Sequence, residues 1–192
     1  MQKLTLPALI VAMLTLNGCG TANKNEQKAT DSIAVATGDT TAMMTAKLPD
    51  PASFAGEVDG KKASLYILKT KDIQVAISNY GARIVGLLVP DKNGQITDVA
   101  PGFSTVADYQ KPGGAFFGPV VGRFGNRIAK GKFTLDGKTY SLDLNNNGNT
   151  LHGGPTGFHN HVWDAKQLDD KTVKMTYVSK DGEGGFPGTV TT

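Results

Sequence analysis

The amino-acid sequence predicts an all-β fold, and a large sandwich is the architecture that suits it best. Three observations support this prediction. The chain of 192 residues contains 24 glycines with many threonines and valines, a composition typical of strands joined by tight turns. Its short apolar or alternating runs are bounded by turn-forming residues. After the N-terminal segment, no run has the periodicity of an amphipathic helix longer than two turns.

Residues 1–18 have the pattern of a bacterial lipoprotein signal peptide. Met1-Gln2-Lys3 provides a short positive start, and an apolar stretch covers residues 4–16. Such a stretch suits a secretory signal and is shorter than the ~20 residues that cross a bilayer as a helix. It ends at Leu16-Asn17-Gly18-Cys19, where a small residue precedes a cysteine. We therefore expect cleavage before Cys19 and attachment of lipid to its thiol.

Cys19 is the only cysteine, so an intramolecular disulfide is excluded. The alternative to lipidation is a buried thiol in a signal helix that stays attached. A multi-chain lipid anchor gives durable membrane attachment. The prediction is thus an exported lipoprotein, anchored to a membrane on the periplasmic side or at the cell surface of a bacterium.

Residues 19–48 are predicted to form a flexible tether after the lipidated cysteine. They consist mainly of Ala, Thr, Asn, Lys, Asp and Gln, and such a segment cannot bury enough apolar surface to offset its ordering entropy. Residues 49–192 then form one domain. The formal net charge is +3 with both signs mixed along the chain, which excludes the concentrated basic stripe of a nucleic-acid-binding protein.

Three strands are predicted in the first part of this domain, at residues 65–68, 73–77 and 82–89. The third is closed by a strong turn sequence, Pro90-Asp91-Lys92-Asn93-Gly94. Further along, Asp136-Gly137 separates two alternating runs, at 132–135 and 138–142, and predicts a hairpin with a primed turn. Residues 173–178 alternate well enough for another strand.

The run at residues 188–192 also has strand character, and no turn residue or polar tail closes it. An unpaired strand there leaves backbone donors and acceptors without partners. We therefore expect a β fold that is incomplete at its C-terminus.

Two stretches combine residues that are poor choices for a core. Gly122–Ile128 sets two arginines and an asparagine between glycines, and Asn149–Gly154 places a histidine beside a glycine pair. Glycine lets backbone or ligand approach closely, while arginine and asparagine offer several donors in a plane. This combination suits the hydroxyl groups of a sugar ring.

Several runs in one order resemble the aldose 1-epimerases, or galactose mutarotases: Ser78–Val85, Val89–Asp91, Gly122–Gly131, Leu151–Gly154 and Asp181–Gly188. The resemblance covers about residues 58–192 and corresponds to the N-terminal part of a longer domain. It implies an antiparallel β-supersandwich that interconverts the α and β anomers of aldoses such as galactose and glucose. It also implies that no metal or cofactor takes part.

The resemblance assigns sugar-binding roles to Asn126 and Arg127, which match the family's Asn-Arg pair, and to His152 of the Leu-His-Gly-Gly motif. In the family, an acid protonates the ring oxygen while a carboxylate removes the anomeric proton. That acid is a histidine in an Asn-His-(Ser/Thr)-Tyr-Phe-Asn motif, and the base is a late glutamate, with a sugar-binding aspartate between them. None of the three motifs is present in this sequence, so no catalytic residue is assigned and the chain alone is expected to be inactive.

Each candidate also has an ordinary structural interpretation. Arg127 could be a surface arginine, Asn126 a turn residue, and His152 a buried structural imidazole. Arg123 is predicted to be structural, paired with a carboxylate, and Glu183 to be part of the loop structure. Phe158 and Trp163 could stack on a sugar, but core packing is the favoured interpretation.

The three histidines, His152, His159 and His161, suggest a zinc site at first sight. Alternate residues of an extended segment point to opposite sides, and no acidic or thiol ligand follows at a suitable spacing. We therefore predict no metal site.

A second hypothesis belongs to another functional class. A non-catalytic, lipid-anchored carbohydrate-binding protein would keep Asn126, Arg127 and His152 without turnover. A coding sequence that continues into the acid and base motifs would favour the enzyme, and a stop codon after Thr192 would favour the binding protein.

Overall fold

The computed structural model describes residues 46–111 and 116–192. The predicted signal peptide at 1–18, the lipidation site Cys19 and the tether as far as residue 45 lie outside the described residues. Leu48, near the start of the described chain, packs against the main core. Among the described residues, no helix combines the length and apolar character needed to cross a membrane.

The first half of the described chain is built around one four-stranded antiparallel sheet. A hairpin of β1 (Gly56–Val58) and β2 (Lys61–Ala63) precedes it. The sheet follows in chain order, with β3 (Leu65–Lys69), β4 (Gln74–Ser78), β5 (Arg83–Pro90) and β6 (Ile96–Asp98). Strands β3 to β5 confirm the three predicted strands.

The predicted turn after β5 is also confirmed. The amide of Gly94 donates to the carbonyl of Asp91 at 3.0 Å. The Asp91 carboxylate accepts from the amides of Asn93 and Gln95, both at 2.8 Å. An aspartate that bonds to its own following backbone is the usual way such a turn is fixed.

The main core lies against this sheet. It includes Val85 of β5 and the two buried residues, Val106 and Tyr109, of the short helix α1 (Val106–Tyr109). The helix begins at Thr105, whose hydroxyl caps the amide of Asp108 at 3.1 Å. The remaining buried members are Phe54, Val58, Ala63, Ala76, Tyr80 and Val162.

Arg83 of β5 is buried in this core with only 2% of its surface exposed. Its guanidinium donates to the carbonyls of Phe117 at 2.8 Å and His159 at 3.2 Å, and lies 4.1 Å from the ring centroid of Tyr109. Burial lowers the pKa of Arg83. This side chain therefore ties the sheet to the loops of the second half.

The second half consists of short strands in pairs. Its strands are β7 (Arg127–Ile128), β8 (Lys132–Leu135), β9 (Lys138–Ser141), β10 (Thr150–Leu151), β11 (Asp164–Asp169), β12 (Thr172–Thr176), β13 (Val178–Ser179) and β14 (Val190–Thr191). All pairs are antiparallel: β7 with β10, β8 with β9, β11 with β12, and β13 with β14. Four short 3₁₀ helices are also described, at Pro51–Phe54, Ala129–Gly131, Phe158–Asn160 and Glu183–Gly185.

The predicted hairpin is confirmed in detail. Leu135 of β8 faces Lys138 of β9, so only Asp136 and Gly137 form the loop. Both have positive φ, 50° and 75°, as a type I′ turn requires. The strand predicted at 173–178 is divided at Tyr177 into β12 and β13.

The expectation of an unpaired final strand is wrong for the edge that faces β13. Val178 pairs with Thr191 and Ser179 with Val190. Tyr177 and Thr192 exchange two further backbone hydrogen bonds, of 3.0 and 2.9 Å. The loop at 180–189 reverses the chain and lets the run return along β13, which supplies the missing partners.

The second half of the described chain contains a second core, which is aromatic. It contains Phe158, Trp163 and Tyr177, and the indole N–H of Trp163 donates to the carbonyl of Phe158 at 3.1 Å. Phe158 and Trp163 are buried. Core packing, the favoured interpretation of these two residues, is confirmed.

Candidate functional site

The three predicted sugar-binding residues come together where β7 pairs with β10. Leu151 pairs with Arg127 across this two-residue ladder. The next residues continue the contact in an irregular form, because the His152 amide donates to the Asn126 carbonyl at 2.9 Å. In return, the Asn126 amide donates to Nδ1 of His152 at 3.0 Å. Main chain and side chain therefore hold the two segments in one register.

The backbone at this contact is unusual and depends on glycine. Asn126 and His152 have positive φ, 66° and 53°, a region in which asparagine is tolerated better than most residues. Gly153 follows with φ 90°, and a Cβ atom built on it would lie 1.7 Å from the carbonyl oxygen of Gly122. The histidine thus needs a glycine after it because the two loops touch through their main chains.

The geometry determines which nitrogen of His152 carries the proton. A backbone N–H can only donate, so Nδ1 is the acceptor and the proton resides on Nε2. Within the described chain, Nε2 has no hydrogen-bond partner. The ring is half-buried, and Phe116 packs edge-on against it with centroids 4.8 Å apart. His152 therefore presents an oriented N–H donor at a partly open surface.

Asn126 and Arg127 contribute donors to the same surface. Both are exposed, and Nη1 of Arg127 donates to Oδ1 of Asn126 at 3.3 Å. Nε of Arg127 donates to Oδ1 of Asn146 at 3.0 Å. The NH₂ group of the Asn126 side chain makes no hydrogen bond to the described residues and remains available as a donor. The surface is rich in donors, which suits the lone pairs of sugar oxygens.

An asparagine-rich segment, absent from the sequence predictions, supports this surface. Besides Asn146, Asn145 accepts from the amide of Leu151 at 2.7 Å and donates to its carbonyl at 3.0 Å. Asn149 accepts from the amide of Lys130 at 3.1 Å. The run Asn145-Asn146-Asn147-Gly148-Asn149 was the available signal, since asparagine readily bonds to nearby backbone.

Arg123 has a structural role, as predicted, but its partners are different. Among the residues that the structure describes, it contacts no carboxylate. Its guanidinium donates to the hydroxyl of Ser179 and to the carbonyls of Ser179, Lys180, Pro187 and Gly188, at 2.6–3.1 Å. Several carbonyls of one tight loop can surround a guanidinium as a carboxylate does. The guanidinium in turn gives these backbone acceptors a hydrogen-bond donor.

Glu183 belongs to the loop structure, as expected, and its carboxylate is firmly held. It accepts from the hydroxyls of Tyr177 and Ser179. Nε2 of His161 lies 3.5 Å from the same carboxylate. Burial, and then the bond to Glu183, raise the pKa of Tyr177.

The other two histidines have surroundings unlike those of His152. His159 is buried, and its pKa is lowered to about 4 by burial and then by the charge of Arg83. His161 stacks on Tyr177, with centroids 4.8 Å apart. In residues 46–111 and 116–192, no group of three or more His, Cys, Asp or Glu side chains is arranged to hold a metal ion.

A groove of about 570 Å³ lies beside this surface. Arg123 and Arg127 line it, whereas Asn126 and His152 do not. Its other walls are apolar, made by Phe124, Ile128, Phe133, Leu135, Phe186, Pro187 and Val190. Apolar walls do not suit a polyol, so the donor surface of Asn126, Arg127 and His152 is the better candidate for binding sugar.

Comparison with known proteins identifies the family. Residues 64–192 match the family model described as aldose 1-epimerase. The chain belongs to the aldose 1-epimerase family. The match includes Asn126, Arg127 and His152, and it covers most of the range over which the sequence resembles this family.

Among its relatives in the aldose 1-epimerase family are mammalian galactose mutarotases. The Sus scrofa protein is 44% identical over 121 residues, which are 63% of this chain and 35% of the relative. The Homo sapiens protein is 40% identical over 130 residues, which are 67% of this chain and 37% of the relative. The chain therefore spans little more than a third of the length of the mutarotases that it matches.

Solved structures of the family share the fold. An aldose epimerase homologue from C. elegans superimposes with a TM-score of 0.63 at 30% identity, over 67% of this chain and 40% of that one. Galactose 1-epimerase from Lactobacillus acidophilus gives a TM-score of 0.60 at 28% identity, over 71% of this chain and 40% of that one. The predicted all-β, mutarotase-like sandwich is confirmed.

Proposed function

We propose that the protein binds the pyranose form of an aldose such as galactose or glucose and acts as an aldose 1-epimerase. The observation that carries this proposal is the reciprocal contact between Asn126 and His152. This contact joins the two segments that present three donors at one surface: the side-chain NH₂ of Asn126, the guanidinium of Arg127 and the Nε2–H of His152. Fixed donors of this kind bind hydroxyl oxygens with little loss of conformational entropy.

The same contact favours binding over proton transfer for His152. Ring opening needs one group to protonate the ring oxygen and another to accept the anomeric proton. A neutral imidazole with its proton on Nε2 donates a hydrogen bond readily but is a weak acid. The sequence also has no match to the family's acid and base motifs. We therefore propose that these 192 residues are the sugar-binding part of an epimerase and do not by themselves accelerate anomer exchange.

Galactose titration followed by amide NMR tests the proposed binding. We expect chemical shift changes centred on Asn126, Arg127 and His152. His152→Ala should weaken binding roughly fivefold, since one hydrogen bond is worth about 1 kcal/mol. Lys138→Ala, an exposed change in the β8–β9 hairpin, is the control and should leave binding unchanged. Shift changes confined to another surface would refute the proposal.

Polarimetry on freshly dissolved α-galactose tests the absence of turnover. The purified chain should not exceed the solvent rate. Acceleration that His152→Ala abolishes would give His152 a catalytic role instead. The same assay on the gene product isolated from its native host distinguishes the enzyme from the binding protein. That product should show mutarotation only if the protein is an epimerase.

We further propose that the protein is exported and lipidated at Cys19, so that residues after the cysteine tether the domain to a membrane. Metabolic labelling with an alkyne fatty acid in a bacterial host should mark the wild-type protein and leave Cys19→Ser unlabelled. Wild-type protein should also sediment with membranes, and the variant should not. Equal labelling of both proteins would contradict this proposal.

A further inference from the structure

We propose that Arg123 is a positioning residue, which fixes the tautomer of His152 through the segment between them without contacting the sugar. This inference rests on the proposed function, because it concerns the same donor surface. Arg123 lies three residues before Asn126, whose main-chain amide determines which nitrogen of His152 is protonated.

The guanidinium of Arg123 is fully engaged. Arginine has five N–H donors, and five hydrogen bonds leave this side chain, all to residues 179–188. A planar fork with all donors satisfied has one orientation, whereas a lysine ammonium at the same place could reach only some of the acceptors. The side chain therefore fixes the position of its own backbone as well as the loop that it binds.

Ser179, which accepts a hydrogen bond from Arg123, is itself held rigidly. Ser179 is 1% exposed, accepts from Nε of Arg123 at 2.9 Å, and donates to Glu183. Tyr177 donates to the same carboxylate. The Ser179 hydroxyl thus links the guanidinium of Arg123 to the carboxylate of Glu183 through two hydrogen bonds. Charge-assisted bonds in such a chain are stronger than neutral ones.

The residue before Arg123 is packed equally tightly. The Gly122 carbonyl accepts from the Phe158 amide at 3.2 Å, and its oxygen lies against Gly153. The backbone is therefore fixed at 122–123, and Asn126 follows after only Phe124 and Gly125, both exposed. If Arg123 released the 179–188 loop, residues 124–126 would gain freedom. The Asn126 amide would then leave Nδ1, and His152 would populate both tautomers.

The test reads the tautomer directly. Long-range ¹H–¹⁵N NMR of the histidine rings should show His152 of the wild-type chain protonated at Nε2 only, before any sugar is added. In Arg123→Gln we expect mixed tautomers. Amide exchange at Asn126 and His152 should become roughly tenfold faster, and exchange in β3–β5 should not change. Galactose, the probe for binding, should bind about twofold more weakly, less than the loss in His152→Ala, because part of the population keeps the proton on Nε2. Lys174→Gln, which removes a charge from an exposed site in β12, should alter none of these readings.

Two milder variants keep the test informative if Arg123→Gln does not fold. Ser179→Ala removes one of the five bonds, and Arg123→Lys keeps the charge without the fork; both should shift the tautomer in the same direction by a smaller amount. A folded Arg123 or Ser179 variant with His152 still purely Nε2-protonated overturns the inference, even if its melting temperature falls. Absence of galactose binding with an intact wild-type tautomer overturns the proposed function alone.

Discussion

The backbone is held in place by different means in the sheet of β3–β6 and in the donor surface of Asn126, Arg127 and His152. Strand β5 has eight residues and is paired on both sides by main-chain ladders. The surface depends on β7 and β10, which have two residues each. There, positive φ angles and bonds from side chains to backbone replace the ladder.

This difference has a physical consequence. A ladder spreads its stability over many equivalent bonds, so that one substitution removes a small share of it. The donor surface depends on a few specific contacts. One of them is the close approach of the Gly122 carbonyl to Gly153. The following predictions probe the two regions in turn, beginning with the largest effect.

Gly153→Ala should cause the largest loss. The new Cβ would meet the Gly122 carbonyl at 1.7 Å, and φ of 90° is itself unfavourable for alanine. We expect the free energy of unfolding to fall by about 3 kcal/mol or more, measured by urea denaturation.

Gly137→Ala is the matched control for that change. Gly137 also has positive φ, 75°, but nothing lies within 4 Å of its Cβ position. Only the cost of the positive φ should remain, so the free energy of unfolding should fall by about 1 kcal/mol. Equal losses in the two variants would show that the contact between the loops contributes nothing.

Arg83→Met should have the next largest effect, because it removes the link between the sheet and the loops. The carbonyls of Phe117 and His159 would lose their donor inside the protein. We expect destabilisation of about 2 kcal/mol in urea denaturation, since an unsatisfied buried acceptor is costly. Lys69→Met, on the exposed end of β3, should change stability little. A fully stable Arg83→Met would mean that water replaces the guanidinium at no cost.

The smallest effect, when taken over a single pH unit, concerns the dependence of stability on pH. The pKa of His159 is about 4 in the folded protein and 6.5 in an unfolded chain, so the unfolded state binds more protons between these values. The His159 contribution to stability is therefore complete above pH 6.5 and is lost as the pH falls toward 4. Its slope is at most about 1.4 kcal/mol per pH unit.

His159→Gln should flatten this slope between pH 6.5 and 4, as followed by urea denaturation at a series of pH values. The comparison with His161→Gln, which leaves the His159 ring in place, provides the control. An unchanged slope in His159→Gln would show that His159 is not the titrating group.

The sequence predicted those parts of the fold in which one local signal decides the structure. Asp136-Gly137 identified the β8–β9 hairpin because few residues tolerate its two positive φ angles. The mostly apolar run at 82–89, closed by a turn sequence, identified β5. In contrast, β11 (Asp164–Asp169) was not predicted, since four of its six residues are polar or charged and most of the strand is exposed. The pairing of β13 with β14 connects two-residue segments, which carry no periodicity.

The site was predicted as a set of residues but not as a geometry. Asn126, Arg127 and His152 were named from a resemblance to a family, and they do lie together. What joins them is mostly main chain: the amide of Asn126, the carbonyls that receive Arg123, and the approach of Gly122 to Gly153. Because every residue has such groups, no side-chain pattern reveals which of them will meet.

The Asn126 N–H that donates to Nδ1 of His152 belongs to the backbone. The side chain of Asn126 is therefore not needed to orient the imidazole. Any residue except proline supplies that N–H, provided that it tolerates φ near 66°. Glycine or aspartate at position 126 could therefore change which hydroxyls are recognised while the imidazole keeps its orientation. Sugar preference could then diverge, in evolution or by engineering, without rebuilding the rest of the surface.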